Sequence, residues 1–526
     1  MKRRDFIQLA TVTGMAAMAP AALAQNSKPR INLPFGLSEA TISDLQAKMQ
    51  SGEMSAKDIV GAYTKRIGNI DRELNSVIEL NPDALSIAES LDRERKAGKI
   101  RSPLHGIPVL IKDNIDTADK MKTTAGSLAL ADAPTPKQDS FVAKQLRDAG
   151  AIILGKTNLS EWANFRSTAA SSGWSGRGGQ THNPYILQRN PCGSSSGTGA
   201  SVSANLTALG IGTETDGSIV CPSSNCGLVG IKPTVGLVSR SGIIPISHSQ
   251  DTAGPMTRTV TDAAILLSFL TGTDARDPAT SQNDKKARND YQKYLDRKGL
   301  SGARIGVVRS FWGKNVRLDK TMDEALSAMK AEGATLIDVK IPTLGKFGDD
   351  EFQVLLYEFK TDLNKYLAER GTGKTLKDLI AFNEQNKDRE MPHFAQEIFE
   401  QAEKKGPLTD RPYRLALQKC KMMSQAQGID LVMNQNRLDA LVAPTNGPVW
   451  LIDSVNGDCG SGYVDSSTIA AVAGYPSITV PAGLIEELPI GISFFGRAYS
   501  EPKLISIAYS FEQSTKARRA PKFLDM

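Results

Sequence analysis

A run of three serines stands at positions 194–196, between a Cys-Gly pair and a Gly-Thr-Gly stretch. A serine hydroxyl becomes a nucleophile when a neighbouring base removes its proton, and small residues around it let a substrate approach the backbone. A loop of this composition can also bind phosphate, but phosphate-binding loops end in Gly-Lys-Ser or Gly-Lys-Thr. No lysine or arginine lies between Ser194 and Ile231. The phosphate-binding interpretation is therefore excluded.

The same serines fit a second pattern, the Gly-x-Ser-x-Gly turn of α/β-hydrolases, with Ser195 as the nucleophile. Such an enzyme needs an acid and then a histidine later in the chain. Only His248 and His393 follow the serines, the second of them in a charged segment with helical spacing. The match rests on three letters in a loop rich in serine and glycine, so by itself it carries little weight.

A lysine offers a base of another kind, because a neutral amine accepts protons strongly. Lys112 ends the apolar run 105–112, which is expected to carry it from the core to the end of a strand. Lowering a lysine pKa from about 10.4 to near 7 needs burial or nearby positive charge and costs about 4–5 kcal/mol. On spacing alone, a lysine that extends to water or pairs with Asp113 or Asp116 is the simpler interpretation.

The five cysteines do not predict a disulfide framework in a chain of 526 residues. Cys192, Cys221 and Cys226 could in principle join a histidine around zinc. Neither a Cys-x-x-Cys pair nor a His-Glu-x-x-His helix supports such a site, so we expect small buried thiols and no metal. The chain has a net charge of +6, but its sequence contains no dense stripe of basic residues with interleaved aromatic residues. Nucleic-acid binding is therefore not predicted.

Residues 1–24 have the layout of a secretory signal, with a basic start, a short apolar run and a small-residue ending. Arg3 and Arg4, followed by Phe6, resemble a twin-arginine export signal, which carries folded proteins across a bacterial inner membrane. No later stretch approaches the ~20 apolar residues of a membrane span. We expect a mature chain that begins near Gln25, lies in the periplasm or outside the cell, and is not stably inserted in a membrane.

Short apolar runs alternate along the chain with segments of helical period, and this alternation predicts an α/β layered fold. The elements of this fold must position Lys112 and the serines. Ser55 is predicted to be a helix N-cap within the helical stretch 38–71. Residues from about 274 to 430 are charged and helix-like, and we interpret them as a helical excursion from the sheet. The runs predicted as buried strands are 107–111, 151–154, 303–308, 335–339 and 440–443.

Longer motifs add a family resemblance. Residues 212–242 resemble the amidase signature family: Gly-Thr-acid-Thr-x-Gly-Ser, a proline four residues after that serine, and then Cys-Gly-x-x-Gly-x-Lys-Pro-Thr. The resemblance runs from about residue 37 to 512. It implies an α/β amidase-signature fold in one domain over residues 25–526, with a central mixed β-sheet covered by helices on both faces. Other family landmarks follow in order at 106–117, 150–163, 251–264, 470–483 and 489–497.

The resemblance also implies site residues. The family's triad is Ser–cis-Ser–Lys, with Ser218 as the nucleophile, Ser194 as the cis serine and Lys112 as the base. The peptide bond from Gly193 to Ser194 would then be cis, and no metal or cofactor is implied. Ser195 and Ser196 become hydrogen-bonding members of their loop. The implied oxyanion hole consists of four consecutive backbone N–H groups, those of Thr215, Asp216, Gly217 and Ser218.

The implied reaction is hydrolysis of a carboxamide to carboxylate and ammonia through a serine acyl-enzyme. The string 213–222 is most similar to that of bacterial peptide amidases, which remove the C-terminal amide of peptides. Val220 and Cys221 stand where some relatives carry an arginine, and the lack of that cation fits a neutral amide. The helical excursion, from about residue 274 to 430, is expected to form a wall of the substrate pocket.

Three departures and three alternatives accompany this interpretation. Cys192, Ser196 and Asp216 occupy positions where glycine is common in the family, which affects the expected shape of the two loops. The substrate could instead be a small aliphatic or aryl amide. The chain could also be the glutaminase subunit of a tRNA-dependent amidotransferase, although the export signal argues against it. A non-catalytic binding protein is the third alternative, against which the intact triad argues.

Overall fold

The computed structural model describes residues 34–460 and 463–525, and the predicted export signal lies outside them. One mixed sheet of 11 strands forms the centre of the described chain, with the order β1-β3-β2-β4-β6-β5-β10-β11-β9-β7-β8. The strands are β1 (Val77–Leu80), β2 (Pro108–Lys112), β3 (Ile152–Thr157), β4 (Leu209–Glu214), β5 (Val229–Lys232), β6 (Thr252–Thr257), β7 (Arg304–Val308), β8 (Thr335–Val339), β9 (Ala440–Pro444), β10 (Ser477–Ile485) and β11 (Leu488–Phe495).

Both parallel and antiparallel pairs occur in this sheet. β2 pairs parallel with β3 and with β4, whereas β4 pairs antiparallel with β6. β7 likewise lies parallel to β8 and to β9, while β10 and β11 form an antiparallel pair. The five strands predicted from apolar runs are confirmed as β2, β3, β7, β8 and β9. β2 and β3 are buried along their whole length, which explains why their sequences are near-continuous apolar runs.

Helices flank the sheet, so the predicted α/β fold class is confirmed. Among the described helices, none is both long and apolar enough to cross a membrane. The helices are α1 (Ile42–Ser51), α2 (Ala56–Ile70), α3 (Ala84–Lys96), α4 (Phe141–Asp148), α5 (Ser196–Ser203), α6 (Val220–Asn225), α7 (Val260–Leu270), α8 (Asn283–Lys286), α9 (Val316–Ala331), α10 (Gly348–Arg370), α11 (Leu376–Gln385), α12 (Lys387–Glu390), α13 (Glu397–Glu403), α14 (Arg411–Ser424), α15 (Asp430–Asn436), α16 (Thr468–Ala473) and α17 (Glu501–Thr515).

The predicted N-cap is present at the start of α2. The Ser55 side chain accepts a hydrogen bond from the Asp58 N–H, and the Asp58 carboxylate accepts from the Ser55 N–H, which together form a capping box. Ile59, Tyr63 and Ile67 then face the core, as the helical spacing of the sequence indicates.

The excursion from about 274 to 430 contains the two strands predicted at 303–308 and 335–339 as well as helices. β7 and β8 lie inside it and extend the central sheet. The helical part is α10 to α14, of which α10, α11 and α13 form a second core with Trp162, Phe165, Ile244 and Ile246.

Of the three cysteines expected to be small buried thiols, Cys226 is one, whereas Cys192 and Cys221 are buried but paired with each other. Cys192 and Cys221 form a disulfide, and Cys459 is exposed. Cys226 is buried and free, as expected, and Cys420 is also buried and free. The pairing could not be inferred from spacing, because it depends on two turns that are 29 residues apart in sequence meeting in space.

Candidate active site

Lys112 lies at the end of β2, and its side chain is fully buried. Its Nζ atom is 2.7 Å from Ser194 Oγ, 2.9 Å from Thr213 Oγ1 and 3.2 Å from Thr213 O. The two aspartates considered as partners bond elsewhere. Asp113 accepts from the Thr124 hydroxyl, and Asp116 from the Tyr366 hydroxyl. The simpler interpretation of Lys112 is therefore wrong, because the fold directs its amine to a serine.

Burial lowers the pKa of Lys112 from its ordinary value of 10.5 to about 7, while the negative charges of Asp251 and Glu214 act in the opposite direction. Around neutral pH, a large fraction of these amines is uncharged. A neutral amine at hydrogen-bond distance from a hydroxyl can take its proton, so Lys112 and Ser194 have the geometry of a base and its first proton donor.

The Ser194 loop lies directly before helix α5. The Gly193–Ser194 peptide bond is cis, as the family resemblance implied. The Ser160 N–H donates to Ser194 O at 3.1 Å, and a Cβ at position 193 would lie 2.2 Å from Ser160 Oγ. Because no side chain fits there, glycine is required at position 193 for this close approach.

The other two serines of the run have structural hydrogen bonds, as predicted. Ser195 Oγ donates to Thr213 O at 3.0 Å, and Ser196 Oγ donates to Cys192 O at 2.6 Å. The α/β-hydrolase alternative gains no support, because His248 is paired with Asp362 and Glu358 of α10.

Ser218 lies in the turn between β4 and α6 and is nearly buried, with 8% of its surface exposed. The preceding residue, Gly217, has a positive φ of 77°, a conformation that favours glycine. Ser218 O accepts from the Ser195 N–H at 3.2 Å. The structure therefore brings the turn that carries Ser218 against the loop that carries Ser194, and Ser194 against Lys112.

Side chains outside the turn 215–218 hold it in place. Glu214 accepts from the N–H groups of Ile219 and Val220 at 2.7 and 3.0 Å. Thr215 Oγ1 donates to Asp251 at 2.6 Å. These bonds fix the backbone on both sides of the four N–H groups predicted to form an oxyanion hole.

The Asp216 side chain points away from solvent and joins the turn to the start of α16. Its carboxyl group accepts from Ser467 Oγ at 2.5 Å and from Thr468 Oγ1 at 2.7 Å. Burial, reinforced by the nearby acids Glu351 and Asp465, raises the pKa of Asp216 well above its ordinary value. The aspartate that replaces the family's usual glycine therefore acts as a structural tie for the turn.

Sequence reasoning missed several of these contacts. Glu214 stands inside the recognised motif, so its place in the sequence could have indicated a supporting role. The other partners include residues 36 to 252 positions away from those they contact, and nothing in their local sequence indicates the contact. The missed partners are Ser160, Thr213, Glu214, Asp251, Ser467 and Thr468.

Helix α10 ties the helical segment to this site. Glu358 of α10 accepts from Ser247 Oγ at 2.6 Å, from the Ser249 N–H at 3.0 Å and from Ser249 Oγ at 2.6 Å. The loop that carries these serines ends at Asp251, which bonds to Thr215. α10 is thereby fixed to the turn that precedes Ser218.

A cavity of about 1020 Å³ opens beside residues 213–215. One wall consists of the loop after β5, with the apolar residues Ile243 and Ile244 and the charged residue Arg240. Helix α10 forms another wall, which includes Lys365 and Tyr366. The excursion thus borders a large cavity beside residues 213–215, and the lining of this cavity does not include Lys112, Ser194 or Ser218. A cavity of this size, lined by apolar and polar groups together, is typical of a site for an organic ligand.

Residues 58–505 match the sequence model of the amidase family. The chain belongs to the amidase family. It is 42% identical to a probable amidase of Arabidopsis thaliana over 95% of this chain and 94% of that protein. The crystal structure of native peptide amidase from Stenotrophomonas maltophilia matches with a TM-score of 0.89 and 48% identity, over 93% of this chain and 100% of that chain.

A third relative, a glutamyl-tRNA(Gln) amidotransferase subunit of Thermoanaerobacter pseudethanolicus, is 31% identical over 92% of this chain and 98% of that protein. The predicted amidase-signature membership and fold are therefore confirmed, and the chain is an amidohydrolase. The relatives include amidases as well as this amidotransferase component, so membership of the family leaves the substrate open.

Proposed function

We propose that this amidase removes the C-terminal carboxamide of peptides as ammonia, through an acyl-enzyme on Ser218. The contact of 2.7 Å between Lys112 Nζ and Ser194 Oγ carries the proposal for the reaction, because it supplies a buried base for a serine relay without histidine. Support for a peptide amide comes from the 48% identity to a peptide amidase along almost the full length of both chains.

In the proposed mechanism, neutral Lys112 takes the Ser194 proton while Ser194 takes the Ser218 proton. Ser218 Oγ then attacks the amide carbonyl carbon and forms a tetrahedral oxyanion. When this intermediate collapses, the C–N bond breaks and the relay returns one proton to the nitrogen, so that ammonia leaves. Water, deprotonated by the same relay, attacks the ester and releases the carboxylic acid and free Ser218.

The proposed oxyanion donors are the N–H groups of Thr215, Asp216, Gly217 and Ser218. Removing one such donor typically costs about 3–4 kcal/mol of transition-state stabilisation. Burial raises the pKa of Glu214, and the Gly217 N–H, which also faces this carboxylate, acts in the opposite direction. An oxyanion would compete with Glu214 for that donor, so we assign the larger part of the stabilisation to the other three groups.

Ammonia release from a panel of amides tests the proposed substrate class. The panel contains peptide amides, the corresponding free peptides, free glutamine and asparagine, and small aryl amides, with the Ser218→Ala variant as the blank. We expect the highest kcat/KM on peptide amides, with internal peptide bonds left intact by mass spectrometry. If none of the peptide amides releases ammonia, the proposed substrate class is wrong.

The amidotransferase relative gives a second candidate, hydrolysis of glutamine within a larger complex. The same panel separates the two, since a protein with that role would use free glutamine and leave peptide amides untouched. We favour the first candidate because the identity to the peptide amidase is higher than to the amidotransferase relative, at 48% against 31%.

We further propose that the enzyme is exported to the periplasm or the medium. The basic start with Arg3 and Arg4 supports this, and so does the Cys192–Cys221 disulfide, because disulfides persist mainly in oxidising compartments. Replacing both arginines by lysine should leave the tagged chain in the cytoplasmic fraction. Equal export of the wild type and this variant would contradict a twin-arginine route.

The pH dependence of amidase activity should follow Lys112. Its pKa is lowered to about 7, and only the neutral amine accepts a proton. We expect kcat/KM to rise about tenfold per pH unit below this value and to level off above it. Measuring kcat/KM at a series of pH values from about 5 to 9 tests this rise and the plateau above it. A rate independent of pH across this range would contradict a lysine base.

Loosening the turn at Asp216 should also reduce activity. Asp216→Gly restores the residue common in the family but removes the bonds to Ser467 and Thr468. We expect kcat/KM to fall by about tenfold, as a lost buried hydrogen-bond pair would predict. Asp296→Gly is the matched control, because this exposed carboxylate accepts only a local bond from the Lys298 N–H. The control should leave kcat/KM unchanged, and equal activity of Asp216→Gly and wild type would contradict the assigned tie.

A further inference from the structure

The disulfide between Cys192 and Cys221 joins the two segments that carry the serines. Cys192 lies two residues before Ser194, and Cys221 lies three residues after Ser218. Their Cα atoms are 6.0 Å apart. Within the described chain, the only other covalent path between them is the main chain, over a separation of 29 residues. The crosslink therefore fixes the spacing of the two serine-bearing segments more directly than the main chain does.

Neither cysteine lies in a free loop, because Cys192 lies in a hydrogen-bonded turn and Cys221 lies in the first turn of α6. The Cys192 N–H donates to Asn190 Oδ1 at 2.8 Å, and Cys192 O accepts from Ser196 Oγ at 2.6 Å. The Cys221 N–H donates to Gly217 O at 2.8 Å. Because both turns are tied internally, a change in the distance between the two sulfurs would displace the whole turn on each side, including its serine.

The noncovalent contacts between the two serine-bearing segments are hydrogen bonds, whose strength depends on angle as well as on distance. The Ser195 N–H donates to Ser218 O at 3.2 Å, and Ser195 Oγ donates to Thr213 O at 3.0 Å. A proton relay through two hydroxyl groups needs hydrogen-bond distances at each step, and a misplacement of about 1 Å can cost about 100-fold in rate. One covalent restraint at this junction limits such displacements.

The surroundings of the disulfide keep it away from water. Cys192 and Cys221 are 6% and 4% exposed and pack in a small apolar cluster with Val449, Trp450 and Leu488. Once formed, the disulfide is therefore shielded from soluble thiols. In the reduced protein, the same cluster would contain two thiol groups with no crosslink between them.

We propose that the Cys192–Cys221 disulfide is a positioning element of the active site, and that the enzyme reaches full activity only after these two cysteines are oxidised. The proposal rests on the Ser218–Ser194–Lys112 relay proposed above. It assigns both cysteines a role in holding the Ser194 loop against the Ser218 turn, and it makes oxidation a step in the maturation of the enzyme.

The oxidation balances by thiol–disulfide exchange with a disulfide oxidant. One cysteine thiolate attacks the oxidant's S–S bond and displaces the first oxidant thiol, which leaves a mixed disulfide. The second thiolate then attacks the Sγ atom of the first cysteine, which forms the Cys192–Cys221 bond and displaces the other oxidant thiol. The two cysteines lose two electrons and two protons, and the oxidant is reduced to two thiols. Oxidised glutathione is a suitable oxidant in vitro.

The first experiment compares variants of the mature chain, produced under oxidising conditions. Cys192→Ser, Cys221→Ser and the double variant are matched with Cys226→Ser, which changes a buried cysteine of the same region that forms no disulfide. The readouts are kcat and KM, the rate at which a fluorophosphonate labels Ser218, and the melting temperature. Labelling needs no amide substrate, so it tests the crosslink even if the proposed substrate is wrong.

We expect each of the three crosslink variants to lose about 10- to 100-fold in both kcat and labelling rate, with KM less affected, while Cys226→Ser matches wild type. The double variant should be no worse than either single variant, since each removes the same bond. A lower melting temperature with unchanged kcat and labelling rate would overturn the proposal, because the bond would then stabilise the fold without positioning the serines.

A second experiment does not depend on substitution and covers the case in which the variants fail to fold. Wild-type chain is prepared with its cysteines reduced and is then treated with oxidised glutathione. We expect kcat and labelling rate to rise as the fraction of chains with Cys192 joined to Cys221 in the peptide map rises, whether or not the exposed Cys459 has taken up glutathione. Full activity in protein that retains both thiols would overturn the proposal.

Discussion

Replacing Ser218 with alanine should abolish ammonia release, with kcat reduced by about 10⁴-fold or more, because the acyl-enzyme can no longer form. Ser218 is nearly buried, and its turn is held by hydrogen bonds that involve Glu214, Asp251 and α16. The turn should therefore keep its conformation when the Ser218 hydroxyl is removed. The measurement is kcat on a peptide amide together with covalent labelling by a fluorophosphonate and the melting temperature.

A second serine variant identifies the nucleophile independently. Ser195 is the residue that the Gly-x-Ser-x-Gly pattern would have selected, and its hydroxyl instead donates to Thr213 O. Ser195→Ala should still be labelled by the fluorophosphonate, whereas Ser218→Ala should not. If labelling disappeared in Ser195→Ala and persisted in Ser218→Ala, the assignment of the nucleophile would be wrong.

Replacing Lys112 with methionine should lower kcat/KM by about 10³- to 10⁴-fold, since general-base catalysis contributes effects of this size. Methionine has a similar length and fills the buried space, so the fold should be retained. The variant should also lose the rise of kcat/KM with pH that the pKa of about 7 predicts for wild type. The measurement is the pH–rate profile of both proteins on the same amide.

Lys156→Met is the matched control for this prediction. Lys156 is also fully buried, and burial lowers its pKa too, but its Nζ bonds to Ile115 O and Thr123 Oγ1 rather than to a serine. This variant should keep the wild-type pH profile at temperatures below its melting point. Near-normal activity in Lys112→Met, or equal losses in both variants, would contradict a specific role for Lys112.

The stability of the Lys112 variant provides a further check on the lowered pKa. Between about pH 7 and its ordinary value of 10.5, the unfolded chain binds a proton at Lys112 that the folded chain does not bind. The free energy of unfolding of wild type therefore rises with pH over this window, by about 1.4 kcal/mol per unit from this group alone. Lys112→Met should lack this contribution at every pH within the window.

The sequence by itself determined the secondary elements near the site and the identity of the family. Short apolar runs located five strands, of which β2, β3 and β9 are buried along their whole length. Strands buried on both faces need continuous apolar side chains. Ser55 located a helix start, because capping depends on residues three apart in the chain. The motif containing Ser218 carried the family resemblance, and the cis bond before Ser194 followed from it.

Tertiary structure alone decided which partners these residues have. Spacing alone favoured a solvated Lys112 or one paired with Asp113 or Asp116, and the family resemblance implied a base, but only the fold shows its amine buried against Ser194 and Thr213. The disulfide between Cys192 and Cys221 was likewise not expected. Local patterns encode contacts within a few residues, whereas a buried amine or a crosslink depends on segments far apart in the chain being brought together when the sheet assembles.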